Sequence, residues 1–308
     1  MANKLPRMAF FKDRIVPYAE AQVGLLTHAL NYGTGVFGGL RGYWNGDEGR
    51  LLVFRLTDHV RRLHESASLL RMNLALSEEA TARAVLDLLH AEGLKEDCYI
   101  RPLAFYSDEV IGVRMHGLLP ILSIVAVPFG LYIEKADGAH CTVSSWRRPE
   151  SNVIPSRGKI TGSYANSAFA KSDAELAGFD EALLLNHEGY VSEGSGENIF
   201  LVRRSVVATP SLNQSVLEGI TRRSIIALLK DEMGLVVEER PVDRGELFVA
   251  DEVFLSGTAA QITAVSRIDH RAVGSGKIGP ITEKVRKLFF DVVRGRVAKY
   301  RNWCTAVE

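Results

Sequence analysis

The first part of the chain combines short apolar runs with helical stripes of apolar residues. Residues 51–55 form a run of the length typical of a strand, and Asp58 follows at a position suited to cap a helix. The predicted helix has its apolar positions on one face: Val60, Leu63, Ala67 and Leu70. The pattern therefore predicts a strand followed by an amphipathic helix.

A second helix is predicted from its two ends. Ser77 stands at the N-cap position before two acidic residues, and Gly93 is placed to end the helix. Two longer apolar runs, at residues 99–106 and 121–127, predict strands. Because Pro102 has no N–H group to donate, we expect a bulge in the first of these strands, or a position at a sheet edge.

The second part of the chain mixes short strands and helices. Strands are predicted at residues 141–146, 181–185, 198–202, 206–209, 236–239 and 252–256. Helices are predicted at residues 221–233 and 281–293, after one with apolar positions at Ala165, Ala168, Phe169 and Leu176. Strands and helices do not alternate regularly, so the pattern favours an α+β fold over a doubly wound parallel sheet.

A polar stretch at residues 134–140 separates the two parts. We therefore predict a small N-terminal domain at residues 1–127, a linker at residues 128–140 and a larger C-terminal domain at residues 141–308.

Composition narrows the classes of partner. Lysine plus arginine and aspartate plus glutamate each number 37, which argues against recognition of nucleic acid or of a membrane through bulk charge. No run of about 18 apolar residues is present, and the N-terminal residues lack the apolar core of a secretory signal. The cysteines, Cys98, Cys141 and Cys304, are far apart, which fits a reducing cytoplasm better than a disulfide framework.

Lys159 lies in a segment rich in glycine and serine, IPSRGKITGSYANS at residues 154–167. Most loop lysines are solvated surface residues, but Gly158 and Gly162 permit close approach of a ligand to the backbone. A lysine amine that attacks a carbonyl group must be partly neutral, which requires a desolvated pocket or a nearby cation. With the Tyr164 phenol close behind it in the sequence, Lys159 is a candidate for holding an aldehyde cofactor.

Two carboxylates, Glu193 and Glu197, lie in the glycine-rich segment SEGSGENIF at residues 192–200. A carboxylate that faces a pyridine nitrogen keeps that nitrogen protonated and makes the ring an electron sink. A solvated acid in a turn is the alternative for each residue. Spacing alone does not separate the two glutamates.

A candidate phosphate site lies in LEGITRRSII at residues 217–226. Gly219 loosens the backbone, and Thr221 is expected to cap the helix. The N–H groups of Ile220 and Thr221, together with the helix dipole, suit a dianion. An ordinary capped helix is the alternative.

Two other features would complete such a site. The loop SGTAA at residues 256–260 follows a predicted strand and offers N–H and hydroxyl donors. Arg62 offers a fixed cation, with a solvated arginine as the alternative. The eight histidines have no compact metal-binding spacing, so no metal site is expected.

Taken together, these segments resemble the branched-chain aminotransferases of the fold-type-IV pyridoxal-phosphate family, almost from end to end. The motifs are HALNYGT at 28–34, VFRLTDHVRRLH at 53–64, YIRPL at 99–103, VSSW at 143–146, KITGSY at 159–164, SEGSGENIF at 192–200, GITR at 219–222 and SGTAA at 256–260. The resemblance implies a two-domain α+β fold like that of D-amino-acid aminotransferase. A small N-terminal α/β domain would precede a larger domain with a mixed sheet or barrel and helices. The resemblance also implies a homodimer or larger homo-oligomer.

The resemblance assigns cofactor roles residue by residue. Lys159 would form the Schiff base with pyridoxal 5'-phosphate and move a proton at the substrate Cα. Tyr164 would hydrogen-bond the phenolic oxygen of the cofactor, and Glu193, not Glu197, would face the pyridine nitrogen. Leu217 would pack against the ring. The phosphate would be held by Arg62, Ile220, Thr221 and Thr258, and Gly219 and Gly257 would also belong to the cofactor site.

The resemblance also implies a pocket for amino acids and 2-oxo acids. Tyr99, Thr258 and Ala259 would bind the α-carboxylate, and Arg101 the distal carboxylate of glutamate. The other predicted pocket residues are Tyr32, Phe37, Arg41, Val113, Arg114 and Tyr132, some of them from a partner subunit. Apolar walls with one reachable arginine would admit branched side chains and glutamate in turn, because a buried charge must be paired.

The implied reaction is ping-pong transamination of leucine, isoleucine and valine with 2-oxoglutarate. Gly38, where many relatives have glutamate, and Arg114, on a loop expected to overhang the entrance, are departures that leave D-amino-acid or (R)-amine activity open. The YIRPL motif favours the branched-chain type over these activities. Arg114 is either solvated or a second anchor for a carboxylate. An aminodeoxychorismate lyase and a non-enzymatic binding module are further, less favoured alternatives.

Overall fold

Helices and strands are mixed along the chain, which confirms the predicted α+β class. The structure is a computed structural model that describes residues 5–130 and 137–308. Contacts divide the chain into two compact units: unit 1 is Met1–Gly130, Gly158–Gly162 and Asp291–Glu308, and unit 2 is Leu131–Arg157 and Ser163–Phe290. The predicted domain division with a linker at residues 128–140 stays a proposal. Unit 1 also includes two later segments, Gly158–Gly162 and Asp291–Glu308.

Unit 1 contains an eight-stranded sheet with the order β17-β5-β4-β6-β7-β1-β2, and β3 also pairs with β6. Its strands are β1 (Met8–Phe11), β2 (Arg14–Pro17), β3 (Gly35–Phe37), β4 (Leu40–Asn45), β5 (Arg50–Phe54), β6 (Cys98–Tyr106), β7 (Pro120–Pro128) and β17 (Cys304–Ala306). Its helices are α1 (His28–Tyr32), α2 (Leu56–Leu69) and α3 (Glu78–Glu92).

Unit 2 contains a nine-stranded sheet with the order β10-β9-β8-β15-β14-β11-β12-β13, and β16 pairs with β15. Its strands are β8 (Ala139–Arg147), β9 (Glu181–Leu185), β10 (Val191–Gly194), β11 (Asn198–Arg203), β12 (Val206–Pro210), β13 (Val237–Arg240), β14 (Glu252–Gly257), β15 (Gln261–Ile268) and β16 (Arg271–Ala272). Three helices lie in the same part of the chain: α4 (Tyr164–Leu176), α5 (Ile220–Asp231) and α6 (Pro280–Val293). Parallel and antiparallel pairs are mixed, so the sheet is not of the doubly wound type.

The helix ends confirm one predicted cap and correct another. The Ser77 hydroxyl accepts the N–H of Ala80 at 3.2 Å, and Gly93 ends α3 with a φ of +64°. The prediction that Asp58 caps α2 is wrong. This helix begins at Leu56, and its N-cap is Arg55, three residues before Asp58. Asp58 lies in the first turn instead, where its carboxylate is 2.8 Å from the Arg55 guanidinium.

Pro102 lies inside the sheet, not at its edge. Strand β6 pairs with β7 along its whole length without a register shift, so the predicted bulge or edge position is wrong. On the other side of β6, residues Cys98, Tyr99 and Ile100 pair with β4, whereas Leu103, Ala104 and Phe105 pair with β3. Pro102 falls in the gap between these two partners, where the sheet requires no N–H donor.

Helix α4 buries the side opposite to its large apolar residues. The predicted apolar positions Ala165, Ala168, Phe169 and Leu176 are all exposed. The helix instead packs Ala170 and Ala174 against Ala182 and Leu184 of β9. Small side chains allow the helix to lie close to the sheet, and this contact rather than side-chain size determines the buried face.

The three cysteines are free thiols. Burial raises the pKa of the Cys98 thiol to about 12 and that of Cys304 to about 11. Within residues 5–130 and 137–308, no helix has the length and apolar character needed to cross a bilayer.

We expect Ser77→Ala to lower the free energy of unfolding by about 1 kcal/mol, because the Ala80 N–H loses its acceptor. Urea unfolding followed by circular dichroism measures this change. The control is Ser172→Ala on the exposed side of α4, which should change the free energy by less than about 0.5 kcal/mol. Equal losses in the two variants would argue against the cap.

Candidate active site

The backbone of Lys159 is held by two elements of unit 1. Its N–H donates to the Ser66 hydroxyl of α2 at 3.1 Å, and its carbonyl accepts the N–H of Phe37 at 3.0 Å. A side chain at Gly158 would place its Cβ 2.8 Å from Leu69 of α2, so the absence of a side chain allows this close packing. The backbone of the predicted cofactor lysine is therefore held by hydrogen bonds and close packing, unlike that of a solvated loop.

Two cations lie near one buried phenyl ring. The Lys159 Nζ is 5.0 Å from the centroid of the Phe37 ring, and the Arg101 guanidinium carbon is 4.5 Å from the same centroid. Arg101 also donates to the Tyr99 hydroxyl at 3.2 Å. The structure thus brings together four residues that the sequence predicted for cofactor and substrate binding, and we call Phe37, Tyr99, Arg101 and Lys159 the Phe37 cluster.

Two glycines make room for this cluster. A Cβ at Gly39 would collide with the Tyr99 hydroxyl, and a Cβ at Gly38 would lie 2.7 Å from the Pro102 ring. The space that a larger residue at position 38 would need is therefore occupied by Pro102.

Helix α1 and the segment after β6 are joined through Gly112. The His28 ring nitrogen Nε2 is 2.8 Å from the Gly112 carbonyl, and the Gly112 N–H donates to the Tyr32 hydroxyl at 2.9 Å. Val113 and Arg114, which follow directly, are exposed. Tyr32 and Val113, predicted to wall the pocket, are thus close to the same glycine.

Arg41 is buried and binds the two residues that follow β7. Its guanidinium donates to the carbonyls of Phe129 at 3.2 Å and Gly130 at 2.6 Å, and burial lowers its pKa from the ordinary value. The assignment of Arg41 to the substrate pocket stays a prediction. Tyr132, another predicted pocket residue, lies outside the described residues.

Arg62, the predicted phosphate cation, is half-buried on α2. Its carbonyl accepts the Ser66 hydroxyl at 2.7 Å, and this is the hydroxyl that accepts the Lys159 N–H. The helix therefore links the two predicted cofactor residues of unit 1 through one serine, which the sequence reasoning did not single out.

In unit 2, the Glu193 carboxylate is buried and receives three hydrogen-bond donors. The guanidinium of Arg148 lies 2.8 Å from Oε1. The side-chain amide of Asn198 and the N–H of Leu217 donate to Oε2 at 3.1 and 3.0 Å. A buried carboxylate is stable only with such partners, so Glu193 is not the solvated acid of a turn.

Glu197 is also buried, and its carboxylate accepts a hydrogen bond from the residue before it. Its Oε2 accepts the N–H of Gly196 at 3.1 Å, and a Cβ at Gly194 would lie 2.8 Å from the same oxygen. The two glutamates that spacing left equal thus have different surroundings. Two of the donors described for Glu193, Arg148 and Leu217, come from distant segments, whereas the donor described for Glu197 is its neighbour Gly196.

Helix α5 begins at Ile220 with Gly219 as its N-cap. The prediction that Thr221 caps this helix is wrong, because Thr221 is the second helical residue and the N-cap residue, Gly219, has no side chain. A helix start without a side-chain cap has backbone N–H groups suited to an anion. This correction keeps the predicted anion site and changes the groups that form it.

The other predicted residues of unit 2 lie at the ends of secondary-structure elements. Tyr164 is the first residue of α4, Gly257 is the last of β14, and Thr258 and Ala259 follow it. All are half-buried, as is Leu217. No group of acidic, histidine or cysteine side chains within the described residues could hold a metal ion.

Two residues of this region were missed by the sequence reasoning. Arg148 is 8% exposed and supplies the cation for Glu193. Asn198 belongs to the SEGSGENIF motif, yet its role there depends on a contact with Leu217 that spacing does not reveal. The only available signal was that a buried carboxylate requires donors.

The chain belongs to the class IV aminotransferases, since the sequence model of that family matches residues 35–268. A relative from Aquifex aeolicus, named "Probable branched-chain-amino-acid aminotransferase", is 45% identical over 97% of this chain and 96% of the relative.

Solved structures of the same kind are similar over their whole length. The branched-chain aminotransferase of Thermoproteus uzoniensis with norvaline has a TM-score of 0.94 and 42% identity, covering 98% of this chain and 100% of that chain. The branched-chain amino acid aminotransferase from Thermobaculum terrenum in its PLP form has a TM-score of 0.94 and 40% identity, covering 99% of this chain and 99% of that chain. This chain is thus similar to branched-chain aminotransferases in sequence and in fold.

We expect Arg148→Ala to lower the free energy of unfolding by about 3–5 kcal/mol, because it leaves the buried Glu193 carboxylate without its cation. Urea unfolding without added cofactor measures this loss. The double variant Arg148→Met with Glu193→Gln removes both charges and should recover at least half of it. The exposed Arg203→Ala is the control. A double variant as unstable as Arg148→Ala would contradict the charge explanation.

Proposed function

We propose that this chain is a pyridoxal-phosphate-dependent aminotransferase that transfers amino groups between branched-chain L-amino acids and 2-oxoglutarate. Membership of the class IV family and the full-length similarity to branched-chain aminotransferases support the reaction. The observation that carries the proposal is the Phe37 cluster, in which an amine and a guanidinium lie beside one apolar ring.

The residues of unit 2 fit pyridoxal phosphate in their chemistry. A carboxylate has about four acceptor positions, and three donors occupy positions on Glu193, which leaves about one for the N–H of a pyridine ring. The uncapped start of α5 suits the phosphate. Both parts of the cofactor thus have a matching group in this unit.

In the proposed mechanism, Lys159 holds the cofactor through its amine and moves the proton at the substrate Cα. When bound, pyridoxal phosphate supplies a protonated ring that accepts electrons from that carbon. Glu193 accepts the pyridine N–H and keeps it in place, and Tyr164 donates to the phenolic oxygen. Leu217 covers one side of the ring.

The phosphate is assigned to six residues. Arg62 supplies the fixed cation, and the start of α5 supplies backbone donors together with the loop after β14. The complete set is Arg62, Gly219, Ile220, Thr221, Gly257 and Thr258.

The substrate residues follow from the two kinds of side chain that must bind. Phe37 offers an apolar surface for a branched side chain. Arg101, which is exposed, is able to reach the distal carboxylate of glutamate. Tyr99, Thr258 and Ala259 are assigned to the α-carboxylate. We keep Tyr32, Arg41, Val113, Arg114 and Tyr132 as proposed pocket residues.

A panel of amino donors with 2-oxoglutarate as acceptor tests the proposed function. We expect activity with L-leucine, L-isoleucine and L-valine that exceeds activity with D-amino acids and (R)-1-phenylethylamine by at least about 100-fold, since productive geometry admits one configuration at Cα. Lys159→Ala should abolish both turnover and the visible absorbance of the purified protein, whereas the exposed Lys287→Ala should change neither. Turnover without any amino acceptor would favour a lyase and contradict the proposal.

We also propose that the enzyme is a cytoplasmic homodimer or larger homo-oligomer, and that unit 1 contributes the contact. An apolar surface, here called the α1 patch, is exposed at Leu25 (85%), Leu30 (63%), Ile111 (84%) and Val113 (78%). Large exposed apolar patches are typical of interfaces. Its two segments are joined by the Gly112 hydrogen bonds to His28 and Tyr32. The free cysteines suit a reducing compartment.

Leu25→Glu should weaken this association and lower activity, because a charge replaces an apolar contact and pocket residues from the partner are lost. Sedimentation velocity measures the mass of each species, and the same samples are assayed for turnover. Leu176→Glu is the matched control, since Leu176 is 88% exposed in unit 2, and it should leave the mass unchanged. A monomeric wild type, or a Leu25→Glu variant with wild-type mass, would contradict this assignment.

A further inference from the structure

Asn198 contacts Glu193 and the residues that lead into α5, two parts of unit 2 whose proposed roles lie at opposite ends of the cofactor. Its amide nitrogen donates to Glu193 Oε2 at 3.1 Å, at the proposed pyridine end. The same nitrogen donates to the Leu217 carbonyl at 3.0 Å, in the residues that lead into α5. Asn198 is itself 6% exposed, so these bonds are shielded from water.

The side chain of Asn198 also packs directly against the start of α5. A Cβ at Gly219, the N-cap of this helix, would collide with the Asn198 Oδ1, and Asn198 Cγ would be 3.1 Å away. Gly219 is followed at once by Ile220 and Thr221, the proposed phosphate donors. The amide therefore lies between the pyridine-facing carboxylate and the N-terminus of the phosphate helix.

The hydrogen bonds around this amide form a closed set. The Leu217 N–H donates to the same Glu193 oxygen that accepts from Asn198, and the Leu217 carbonyl accepts from Asn198. Asn198 is also the first residue of β11 and pairs with Ser256 of β14, directly before Gly257. Its backbone is thus fixed by the sheet, and its side chain cannot shift without breaking bonds at both ends.

We propose that Asn198 is a positioning residue that sets the spacing between the pyridine-binding and phosphate-binding groups of the cofactor site. The proposal rests on the proposed function of Glu193 and α5. A rigid ligand that engages two sites gains affinity only when their spacing matches its own length. Loss of the spacer should therefore weaken binding of the whole cofactor while leaving each half of it able to bind.

The test compares pyridoxal phosphate with its two fragments, pyridoxal and inorganic phosphate. The full-length apoenzyme is titrated with each ligand, and dissociation constants are measured by fluorescence quenching or equilibrium dialysis. For Asn198→Ala we expect the dissociation constant of pyridoxal phosphate to rise about 10- to 100-fold, by analogy with the loss of a residue that orients a metal ligand. Those of pyridoxal and phosphate should change less than about 3-fold.

A second variant displaces the Asn198 side chain by adding a side chain at Gly219. Gly219→Ala should also weaken the binding of pyridoxal phosphate, because the new Cβ collides with the Asn198 amide oxygen. In the Asn198→Ala background the same change should have a smaller effect, since the colliding atom is gone. The matched control is Asn186→Ala, a buried asparagine that bonds to Gln214 and Tyr190 and should leave cofactor affinity within about 2-fold.

The outcomes separate the spacer from its alternatives. Equal losses for pyridoxal and pyridoxal phosphate would mean that Asn198 acts on Glu193 alone, and would overturn the proposal. Unchanged affinity for pyridoxal phosphate in both Asn198→Ala and Gly219→Ala would overturn it as well. A wild-type apoenzyme that does not bind pyridoxal phosphate would instead contradict the proposed function.

Discussion

Burial of the Glu193 carboxylate is the constraint on which the organisation of the unit 2 site depends. A carboxylate removed from water must receive donors for its oxygens, and no single element supplies them. The guanidinium of Arg148 comes from the residue after β8, the amide of Asn198 from β11 and the N–H of Leu217 from the residues before α5. Each bond has a narrow range of distance, so satisfying one charge also places three segments relative to each other.

In unit 1, the predicted site residues are organised by a gap in the sheet between β3 and β4. Tyr99 and Arg101 are two positions apart in β6, so their side chains lie on the same face of the strand. The strand opposite them is interrupted between β3 and β4 at Gly38 and Gly39, where side chains would collide with β6. The interruption accommodates Pro102 and leaves room for the Tyr99 hydroxyl. A feature that weakens the ladder locally thus forms the place where the Phe37 cluster assembles.

Local chemistry explains which sequence predictions succeeded. Ser77 and Gly93 mark helix ends because their effects act within one turn, and both were confirmed. The strand predicted at residues 181–185 matches β9 for the same reason, since its apolar run is short and bounded. The predictions for Asp58, Thr221 and Pro102 were wrong. In each case a backbone path set by distant residues placed the side chain two or three positions from the expected role, or gave it a different neighbour.

The sequence by itself determined the α+β class and most helices and strands, whereas the site residues, including the choice of Glu193 over Glu197, stay predictions from family resemblance. Only the tertiary structure decided which side of α4 is buried, which arginine pairs with Glu193 and which amide contacts Gly219. These contacts join residues far apart in the chain, and their geometry depends on strand order and packing. Periodicity and spacing describe only near neighbours, so they carry no information about which distant groups will share a buried charge.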